Sequence, residues 1–427
     1  MKIKRSLLPL LPLLSLSLFS CQPERSRFDP AESPAPLPGS ETSFEDYLAT
    51  TSDYIATQLS ERVFATDPAP FGEGYSLETV VQMRSPFQIN PTPDACTDSG
   101  AGAGMGFLMV HGLSDSPYLL KSVADSLSER YPCALIRGLL TPGHGTVPGD
   151  LLSVDRDDWL ALLDWAVNGF SGQVNSLYLV GYSNGGTLAV NYLHQQPRRT
   201  ALIQGLILLS PGLKTHSEMA WLTPWMRYLR SWVNQSDDTD AVKYESFPMH
   251  AAAEFYLLTR PLFDEDFRIS DMPVFMAVSA DDTTVQSQFA AEFFCTRIDS
   301  EKRTMLWLHS SITDVRPQTN CPEIEMLAVP EQFESVVSYS HVGLTLPPDD
   351  RHYGTEGAYP VCTAYQQTPD DYRGCRDGTE GIVYGENTIR DESGRYDGKL
   401  VRRTSFNPAY RQMIDRIGCF IDENCPR

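Results

Sequence analysis

Short apolar runs alternate with amphipathic stretches through the middle of the chain. Runs of aliphatic, aromatic and β-branched residues are typical of buried strands, whereas apolar residues at every third or fourth position are typical of helices. The predicted strands are residues 106–111, 133–140, 176–180, 201–209, 272–278 and 303–308, and the predicted helices are residues 118–131, 155–170, 187–193 and 285–294. This alternation predicts an α/β fold with a mostly parallel central sheet and helices on both faces.

Other stretches depart from this alternation. Residues 213–262 place Trp, Met and Tyr at helical spacing and predict a small helical insertion, whose aromatic side chains either pack a surface helix or form a cap towards a lipid-like substrate. Residues 345–400 are rich in Asp, Gly, Tyr and Pro without a period, and we expect a loop held by a disulfide. Residues 79–89 and 334–339 are predicted as strands, and a helix at 408–421 is expected to close the sheet.

The first residues have the pattern of an export signal. Lys2, Lys4 and Arg5 precede an apolar run at residues 7–19, which is too short to span a bilayer as a helix. The run ends in Leu-Phe-Ser-Cys21, which resembles the lipobox of bacterial lipoproteins, where the cysteine is lipidated and becomes the new N-terminus. The alternative interpretation is an ordinary secretory signal that is cleaved close to a cysteine.

The lipobox resemblance sets the expected organisation and compartment. Residues 1–20 would be the signal peptide, residues 21–42, rich in proline and polar residues, a disordered tether, and residues 43–427 one domain. Gln22 follows Cys21. Because an aspartate at this place retains lipoproteins at the inner membrane of enteric bacteria, the resemblance points to the outer membrane of a Gram-negative cell envelope, facing the periplasm or the surface.

The number of cysteines agrees with export of the protein from the cytoplasm. Of the nine cysteines, eight follow Cys21, and an even set in an oxidising compartment usually forms disulfides. Close spacing suggests the pairs Cys362/Cys375 and Cys419/Cys425. The cysteines that remain would form Cys295/Cys321 and Cys96/Cys133, although spacing alone leaves other pairings open. No spacing is Cys-x-x-Cys, which disfavours a zinc site.

Composition narrows the possible partners. The chain of 427 residues has a formal net charge of −21, and no segment provides the cationic stripe that binding to phosphates needs. We therefore expect no nucleic-acid partner. The hydrophobic fraction of 41% is ordinary for a globular protein, so the chain can bury a sizeable core.

The sharpest candidate for chemistry is Ser183, which lies between a predicted strand and a predicted helix. In Gly181-Tyr-Ser-Asn-Gly185 the chain must turn sharply, and only small residues fit where the helix approaches the strand. Such a turn holds the hydroxyl on a rigid tip, with free N–H groups of the helix N-terminus behind it. A solvated serine in a plain glycine turn is the alternative, but the strand before the motif and the helix after it favour a nucleophile.

A serine nucleophile needs a histidine to take its proton and a carboxylate to orient that histidine. In a parallel sheet these groups should follow the carboxyl ends of strands. Asp281 and Asp282 both follow the fifth predicted strand, His309 directly follows the sixth, and His341 lies further on in Ser-His-Val-Gly. From the residues alone, the acid and the base each have two candidates.

Two further motifs accompany the serine turn. They are His111-Gly-Leu-Ser-Asp-Ser-Pro-Tyr118 and Pro142-Gly-His-Gly-Thr146, the latter followed by Pro148, Asp150, Leu151 and Trp159. With the serine turn they resemble the carboxylesterase and monoacylglycerol lipase branch of the α/β-hydrolases, over residues 105–310. The resemblance implies that fold, with a cap, and hydrolysis of short or medium acyl esters or monoglycerides through an acyl-enzyme, with no metal or organic cofactor. The partner would be a small-molecule ester or lipid.

The same resemblance implies a role for each candidate residue. Asp282 begins Asp-Thr-Thr-Val, which is similar to the turn that carries the acid in that family, and the loop around His341 is similar to the loop that carries its base. The oxyanion would be held by the backbone N–H groups of Leu113 and Asn184. The expected catalytic set is therefore Ser183, His341 and Asp282.

Overall fold

A mostly parallel sheet forms the centre of the molecule, as the sequence predicts. The computed structural model describes residues 26–71, 74–96, 102–195, 202–310, 314–319, 321–378, 381–386 and 398–423. Within these residues one sheet contains β1 Phe87–Ile89, β2 Met105–Val110, β3 Leu135–Leu139, β4 Ser176–Tyr182, β5 Ile203–Leu209, β6 Val274–Ser279, β7 Arg303–His309 and β8 Ile324–Ala328. The spatial order is β1-β3-β2-β4-β5-β6-β7-β8; β1 is antiparallel to β3, and the other neighbouring pairs are parallel.

Helices connect the strands and cover both faces of the sheet. They are α1 Phe44–Leu59, α2 Leu77–Arg84, α3 Tyr118–Arg130, α4 Arg156–Asn168, α5 Asn184–Gln195, α6 Thr223–Met226, α7 Met249–Thr259, α8 Ser287–Arg297, α9 Pro369–Asp377 and α10 Tyr410–Asp422. None of the helices in the described part of the chain combines the length and the apolar character that crossing a bilayer would need.

Successive side chains of the central strands pack alternately into two hydrophobic cores, one on each face of the sheet. Leu179 and Leu208 pack with α4 and α5 on one face, whereas Val180 and Ile207 pack with α3 and α10 on the other. Because successive side chains of a strand point to opposite faces, a sheet that is covered on both sides needs strands that are apolar at every position. This requirement explains why the central strands are continuous apolar runs in the sequence.

The first predicted edge strand is wrong over most of its length. Residues 77–84 form α2, and only Phe87–Ile89 pair with the sheet. Ser76 caps this helix, because its side chain accepts a hydrogen bond from the N–H of Thr79 at 3.2 Å. The cap and the helical spacing of Val80 and Met83, which are both buried, outweigh the β-branched composition.

The segment between β5 and β6 contains the predicted helical insertion. It comprises a short 3-10 turn, Ala220–Leu222, then α6, and then α7. Between the two helices, Trp232–Asn234 pairs with Phe247–Pro248 in an antiparallel ribbon. The insertion therefore has two layers, and its inner helix α7 packs against α5 of the main domain.

The segment after β8 has more structure than the loop that the sequence predicts. It holds α9 and a parallel ribbon of Ile382–Gly385 and Leu400–Arg403. The predicted strand at 334–339 is also wrong: among the described residues, pairing there is limited to a single bridge between Val336 and Tyr384. This short ribbon therefore lies beside the chain that leads to His341.

Three of the predicted disulfides are present in the described residues. Cys96–Cys133, Cys295–Cys321 and Cys362–Cys375 have Cα–Cα separations of 5.1, 5.8 and 6.0 Å. The fourth predicted pair includes Cys425, which lies outside the described residues. The Cys362–Cys375 bridge ties the start of the C-terminal segment to α9.

Residues 26–38 lie against the domain, which differs from the tether that we expect from their composition. The N–H of Gly149 donates to the carbonyl of Arg27 at 2.9 Å, and the N–H of Ala31 donates to the Asp150 carboxylate at 2.9 Å. That carboxylate is buried and also pairs with Arg62 at 2.7 Å. A buried ion pair needs its remaining acceptors satisfied, and the N-terminal segment supplies one donor. Residues 1–25, with the predicted signal peptide and Cys21, lie outside the described residues.

Candidate active site

Ser183 occupies the sharp turn between β4 and α5. Its φ is +52°, in the left-handed region that non-glycine residues rarely adopt. The turn is held by backbone bonds, because the Ser183 N–H donates to the Leu209 carbonyl at 3.0 Å and the Ser183 carbonyl accepts from Gly212 at 2.9 Å. A Cβ on Gly185 would stand 1.9 Å from the Val110 carbonyl oxygen, so the helix reaches the sheet only with glycine there. The predicted strand–turn–helix is therefore present, with its serine in a strained conformation.

A chain of hydrogen bonds joins Ser183 to His341 and Asp282. The Ser183 Oγ lies 2.9 Å from His341 Nε2, and His341 Nδ1 lies 2.6 Å from Asp282 Oδ2. All three residues are buried, with 9% of Ser183, 4% of His341 and 4% of Asp282 exposed. Residues that are 59 and 158 positions apart along the chain thus meet at one edge of the sheet.

The partners of Asp282 leave one carboxylate oxygen for the histidine. Its Oδ1 accepts from the N–H groups of Thr284 at 2.8 Å and Val285 at 2.9 Å, while Oδ2 contacts His341. The Tyr182 hydroxyl donates to the His341 carbonyl at 3.1 Å, which fixes the histidine loop to the strand that carries Ser183. Asp282 and His341 are therefore each held in position by hydrogen bonds that do not involve the contact between them.

The two alternative candidates lie elsewhere in the hydrogen-bond network. His309 ends β7, and its Nδ1 lies 3.2 Å from the Ser310 carbonyl. Asp281 is buried one residue before Asp282, and its N–H donates to Ser279 Oγ at 3.3 Å. The contacts to Ser183 and to its histidine are made by His341 and Asp282.

Leu113 and Asn184 flank the serine. Asn184 is the first residue of α5, so its N–H has no acceptor within the helix. Leu113 follows β2 and lines the same cavity as Ser183. The preceding Gly112 lies so near that a Cβ there would be 3.0 Å from the Ser183 Cβ. The residues expected to hold an oxyanion, Leu113 and Asn184, therefore both lie close to Ser183.

Two buried histidines hold the Leu113 turn in place. The N–H of Ser114 donates to His144 Nε2 at 3.1 Å, and the N–H of Thr141 donates to His111 Nε2 at 3.1 Å. With Nε2 as acceptor, each ring carries its proton on Nδ1 and donates it to a carbonyl, which is Gly112 for His111 at 2.7 Å. The Pro-Gly-His-Gly-Thr motif therefore shapes a loop beside the serine turn.

Burial keeps both rings neutral. It lowers the pKa of His144 to about 4, and burial together with the neighbouring His144 lowers the pKa of His111 well below its usual range. A neutral ring is the form that can accept a backbone N–H at Nε2. The histidines of the turn therefore act as fixed acceptors at neutral pH.

A cavity of about 590 Å³ opens onto Ser183 and His341. The insertion and the C-terminal segment both contribute apolar and aromatic walls: Phe247, Phe255, Tyr256, Tyr353, Tyr359 and Val361. Charged side chains also reach it, among them Lys243 and Arg403. The volume is in the range of small-molecule sites.

A candidate cation site lies outside this cavity. The ligand atoms of Asp155, His250 and Glu254 fall within 4.8 Å of one another. Glu254, however, receives hydrogen bonds from Arg156 and Arg227, so its charge is already compensated. The cluster fits an ion-pair network better than a metal site.

Comparison with known protein families gives a match over part of the chain. The family model described as serine aminopeptidase, S33 (Hydrolase_4) matches residues 107–243, which include β2, the serine turn and the start of the insertion. The chain has the α/β-hydrolase fold. No curated protein sequence matches it.

Many solved structures resemble part of this chain. A metagenome-derived lipolytic enzyme, described with LipS and LipT, is 19% identical, covers 52% of this chain and 86% of its own, and has a TM-score of 0.43. A soluble variant of monoglyceride lipase from Saccharomyces cerevisiae is 15% identical over 52% and 80%, with a TM-score of 0.42. A monoacylglycerol lipase from Paleococcus ferrophilus is 17% identical over 52% and 87%, with a TM-score of 0.40.

An ion pair that the sequence does not announce by any motif braces the turn that carries Asp282. Glu386 accepts a hydrogen bond from Thr283 Oγ1 at 3.0 Å and is paired with Arg403, whose Nη2 donates to Thr284 Oγ1 at 3.1 Å. Although burial opposes its charge, the carboxylate of Glu386 raises the pKa of Arg403, which stays a cation beside Asp282.

The parallel ribbon of Ile382–Gly385 and Leu400–Arg403, which ends beside this ion pair, also holds the loop of His341. The N–H of Glu386 donates to Ser338 Oγ at 2.8 Å. Thr404 Oγ1 donates to the Ser338 carbonyl, also at 2.8 Å. Ser340 Oγ in turn donates to the Thr404 carbonyl. One ribbon therefore contacts both the turn of Asp282 and the loop of His341.

We expect Arg403→Met to lower kcat for hydrolysis by about tenfold, because the acid turn loses a charged hydrogen bond and Glu386 is left buried without its cation. Arg403→Lys should recover part of the loss. Arg402→Met is the matched control, since Arg402 bonds to the carbonyls of Cys375, Arg376 and Gly378 and not to the acid turn. Equal kcat in Arg403→Met and Arg402→Met would contradict the bracing role.

The lowered pKa of His144 predicts that the folded protein becomes less stable in acid. The unfolded chain binds a proton near pH 6.5, whereas the folded chain resists it until about pH 4. The free energy of unfolding should therefore fall as the pH drops from 6.5 to 4, by at most about 3 kcal/mol from this residue, and should not change from this cause above pH 7. Urea unfolding of wild type and His144→Gln across this range tests the point, because the variant should show a shallower slope. Identical slopes would contradict it.

Proposed function

We propose that the protein is a serine hydrolase that cleaves carboxylic esters, such as short or medium acyl esters or monoacylglycerol-like lipids, through an acyl-enzyme. The observation that carries the proposal is the hydrogen-bonded chain of Ser183, His341 and Asp282 at the floor of an aromatic-lined cavity. A serine hydroxyl alone is a poor nucleophile at neutral pH, and this arrangement supplies the base and the orienting carboxylate that it needs.

In the proposed acylation step, His341 Nε2 takes the proton of the Ser183 hydroxyl while Oγ attacks the ester carbonyl carbon. Asp282 accepts the Nδ1–H of the ring, which keeps Nε2 free as the base and stabilises the imidazolium. The carbonyl oxygen gains negative charge and accepts hydrogen bonds from the N–H groups of Leu113 and Asn184. The tetrahedral intermediate then expels the alcohol, which receives the proton from His341.

Deacylation repeats the sequence with water. His341 takes a proton from water as the water oxygen attacks the acyl carbon, and the proton returns to Ser183 Oγ when the carboxylic acid leaves. If another alcohol replaced water in this step, the same residues would perform acyl transfer. Analysis of the products with an added alcohol distinguishes the two reactions.

We also propose that the protein acts in the cell envelope as an outer-membrane lipoprotein acylated at Cys21. The lipobox-like sequence supports this location, and the three disulfides suit an oxidising compartment. Metabolic labelling with a fatty-acid analogue tests the proposal, because Cys21→Ser should abolish incorporation. Incorporation that persists in Cys21→Ser would refute it.

The substrate class is tested with a panel of p-nitrophenyl acetate, butyrate, octanoate and palmitate, a monoacylglycerol, and an aminoacyl p-nitroanilide. Turnover of the esters that is absent in Ser183→Ala supports the proposal. The anilide is included because the matching family model is described as a serine aminopeptidase. Turnover of the anilide alone would replace the ester proposal with a peptidase, and no turnover of any substrate would favour a binding protein that has kept the fold.

A further inference from the structure

Large apolar side chains are concentrated at the surface of the insertion after β5. Between residues 219 and 229, five such side chains are 52% to 82% exposed: Met219, Trp221, Trp225, Tyr228 and Leu229. We call these five residues the aromatic face. Scattered single apolar residues are normal on a protein surface, but a cluster of this kind marks an interaction site.

The aromatic face adjoins the cavity of the proposed active site. Ala220 and Thr223, which alternate with residues of the face along the 3-10 turn and α6, line that cavity, and so does Val233. None of the five residues of the face lines it. A surface that covered the face would therefore lie beside the cavity without filling it.

The N-terminal end of the described chain reaches the same side of the molecule. The ring of Phe28 packs edge-on against Trp232 with centroids 5.4 Å apart, and Arg27 Nη1 donates to the Asp237 carbonyl at 2.6 Å. Trp232 follows Leu229 by three residues. Cys21 precedes Ser26 by five residues, a length of chain that spans at most about 18 Å. An acyl group on Cys21 would thus be tied close to the aromatic face.

The local charge is opposite in sign to that of the whole chain. Residues 213–234 contain Lys214, Arg227 and Arg230 against a single acidic residue, Glu218, whereas the chain has a net charge of −21. Arg227 pairs with the buried Glu254, so Lys214 and Arg230 are the cations of this segment that remain to meet anionic lipid. Basic residues beside exposed Trp and Tyr suit the boundary between lipid headgroups and acyl chains, where aromatic rings lie at headgroup level and cations meet anionic lipids.

We propose that the aromatic face docks on an anionic phospholipid bilayer, namely the one that would hold the acyl group of Cys21. The cavity then borders the lipid surface, and a single-chain ester enters from the bilayer and not from bulk water. The entry of substrate rests on the proposed ester hydrolysis, whereas docking does not.

The test uses the processed chain from Gln22 to Arg427, so that both the predicted signal peptide and the acyl group on Cys21 are absent. Its binding to vesicles of phosphatidylcholine and phosphatidylglycerol is compared with that of the same chain carrying Trp221→Ser, Trp225→Ser and Leu229→Ser. The triple variant should bind at least about tenfold more weakly and should hydrolyse soluble p-nitrophenyl acetate at the parent rate, which also shows that it is folded. Phe263→Ser is the matched control, because Phe263 is 38% exposed and lies outside the face; it should bind like the parent.

Equal vesicle binding by the parent and the triple variant would overturn the proposal. It would also be overturned if the parent ignored vesicles but self-associated through these residues, which sedimentation of the two chains would detect. Ser183→Ala should bind vesicles normally. A catalytically inert chain that still docks would therefore leave docking intact while the proposed reaction fails, so the two failures are distinguishable.

Discussion

Ser183→Ala is expected to lower kcat for p-nitrophenyl butyrate by about 10⁴- to 10⁶-fold, since the proposed acyl-enzyme forms on Ser183 Oγ. Residual catalysis would come only from binding and from the N–H groups of Leu113 and Asn184. The change removes one oxygen and adds no atoms, so KM and the melting temperature should stay close to those of the wild type. Initial rates over a range of substrate concentrations give kcat and KM separately.

Ser210→Ala is a closely matched control for this experiment. Ser210 is also buried and also has a positive φ, of +41°, at the end of the neighbouring strand β5. It does not line the cavity. Ser210→Ala should therefore keep kcat within a few-fold of the wild type, and a comparable loss in both variants would mean that the Ser183 effect is structural.

His341→Ala is expected to reduce kcat by about 10⁴- to 10⁶-fold, because the serine loses its base and Asp282 is left buried without its partner. His309→Ala should retain kcat within about tenfold. The two residues are similarly buried, with 4% and 8% exposed, so a general effect of truncating a buried histidine would appear in both. Steady-state kinetics with circular dichroism as the folding control separate the cases. Loss of turnover in His309→Ala alone would show that the base is His309.

The region around Ser183 is predictable because its signals are local. The strand, the turn and the helix follow one another within about twenty residues, and glycine is required where the helix approaches the sheet. The strand before Asp281 and Asp282 likewise predicts an acid at this turn, and the resemblance of Asp-Thr-Thr-Val to a known turn favours Asp282. The sheet order could not be read from the sequence, but the two-faced burial that makes the strands continuous apolar runs was sufficient to give the parallel architecture.

The path to His341 is poorly predicted for a physical reason. The strand β8, Ile324–Ala328, is short and mostly half-buried, so it lacks the apolar run that identifies the other strands. The chain beyond it is held mainly by side-chain hydrogen bonds, such as that from Glu386 N–H to Ser338 Oγ, and not by strand pairing. Only the small resemblance of Ser-His-Val-Gly to a known loop indicated His341.

The brace formed by Glu386 and Arg403 had no sequence signal at all. Its contacts to Thr283 and Thr284 join residues 103 and 119 positions apart. Neither residue lies in a motif, and each looks like an ordinary charged residue in a polar segment. The misassigned tether has a similar cause, since proline-rich composition does not reveal that Asp150 offers its carboxylate to the N–H of Ala31.

The central claim is that Ser183, activated by His341, forms a covalent acyl intermediate. The most direct measurement is labelling with a fluorophosphonate followed by mass spectrometry of the modified peptide. We expect one adduct on Ser183 in the wild type, no adduct in Ser183→Ala and much slower labelling in His341→Ala. Labelling that persists in Ser183→Ala, or an adduct on a different residue of the wild type, would contradict the claim.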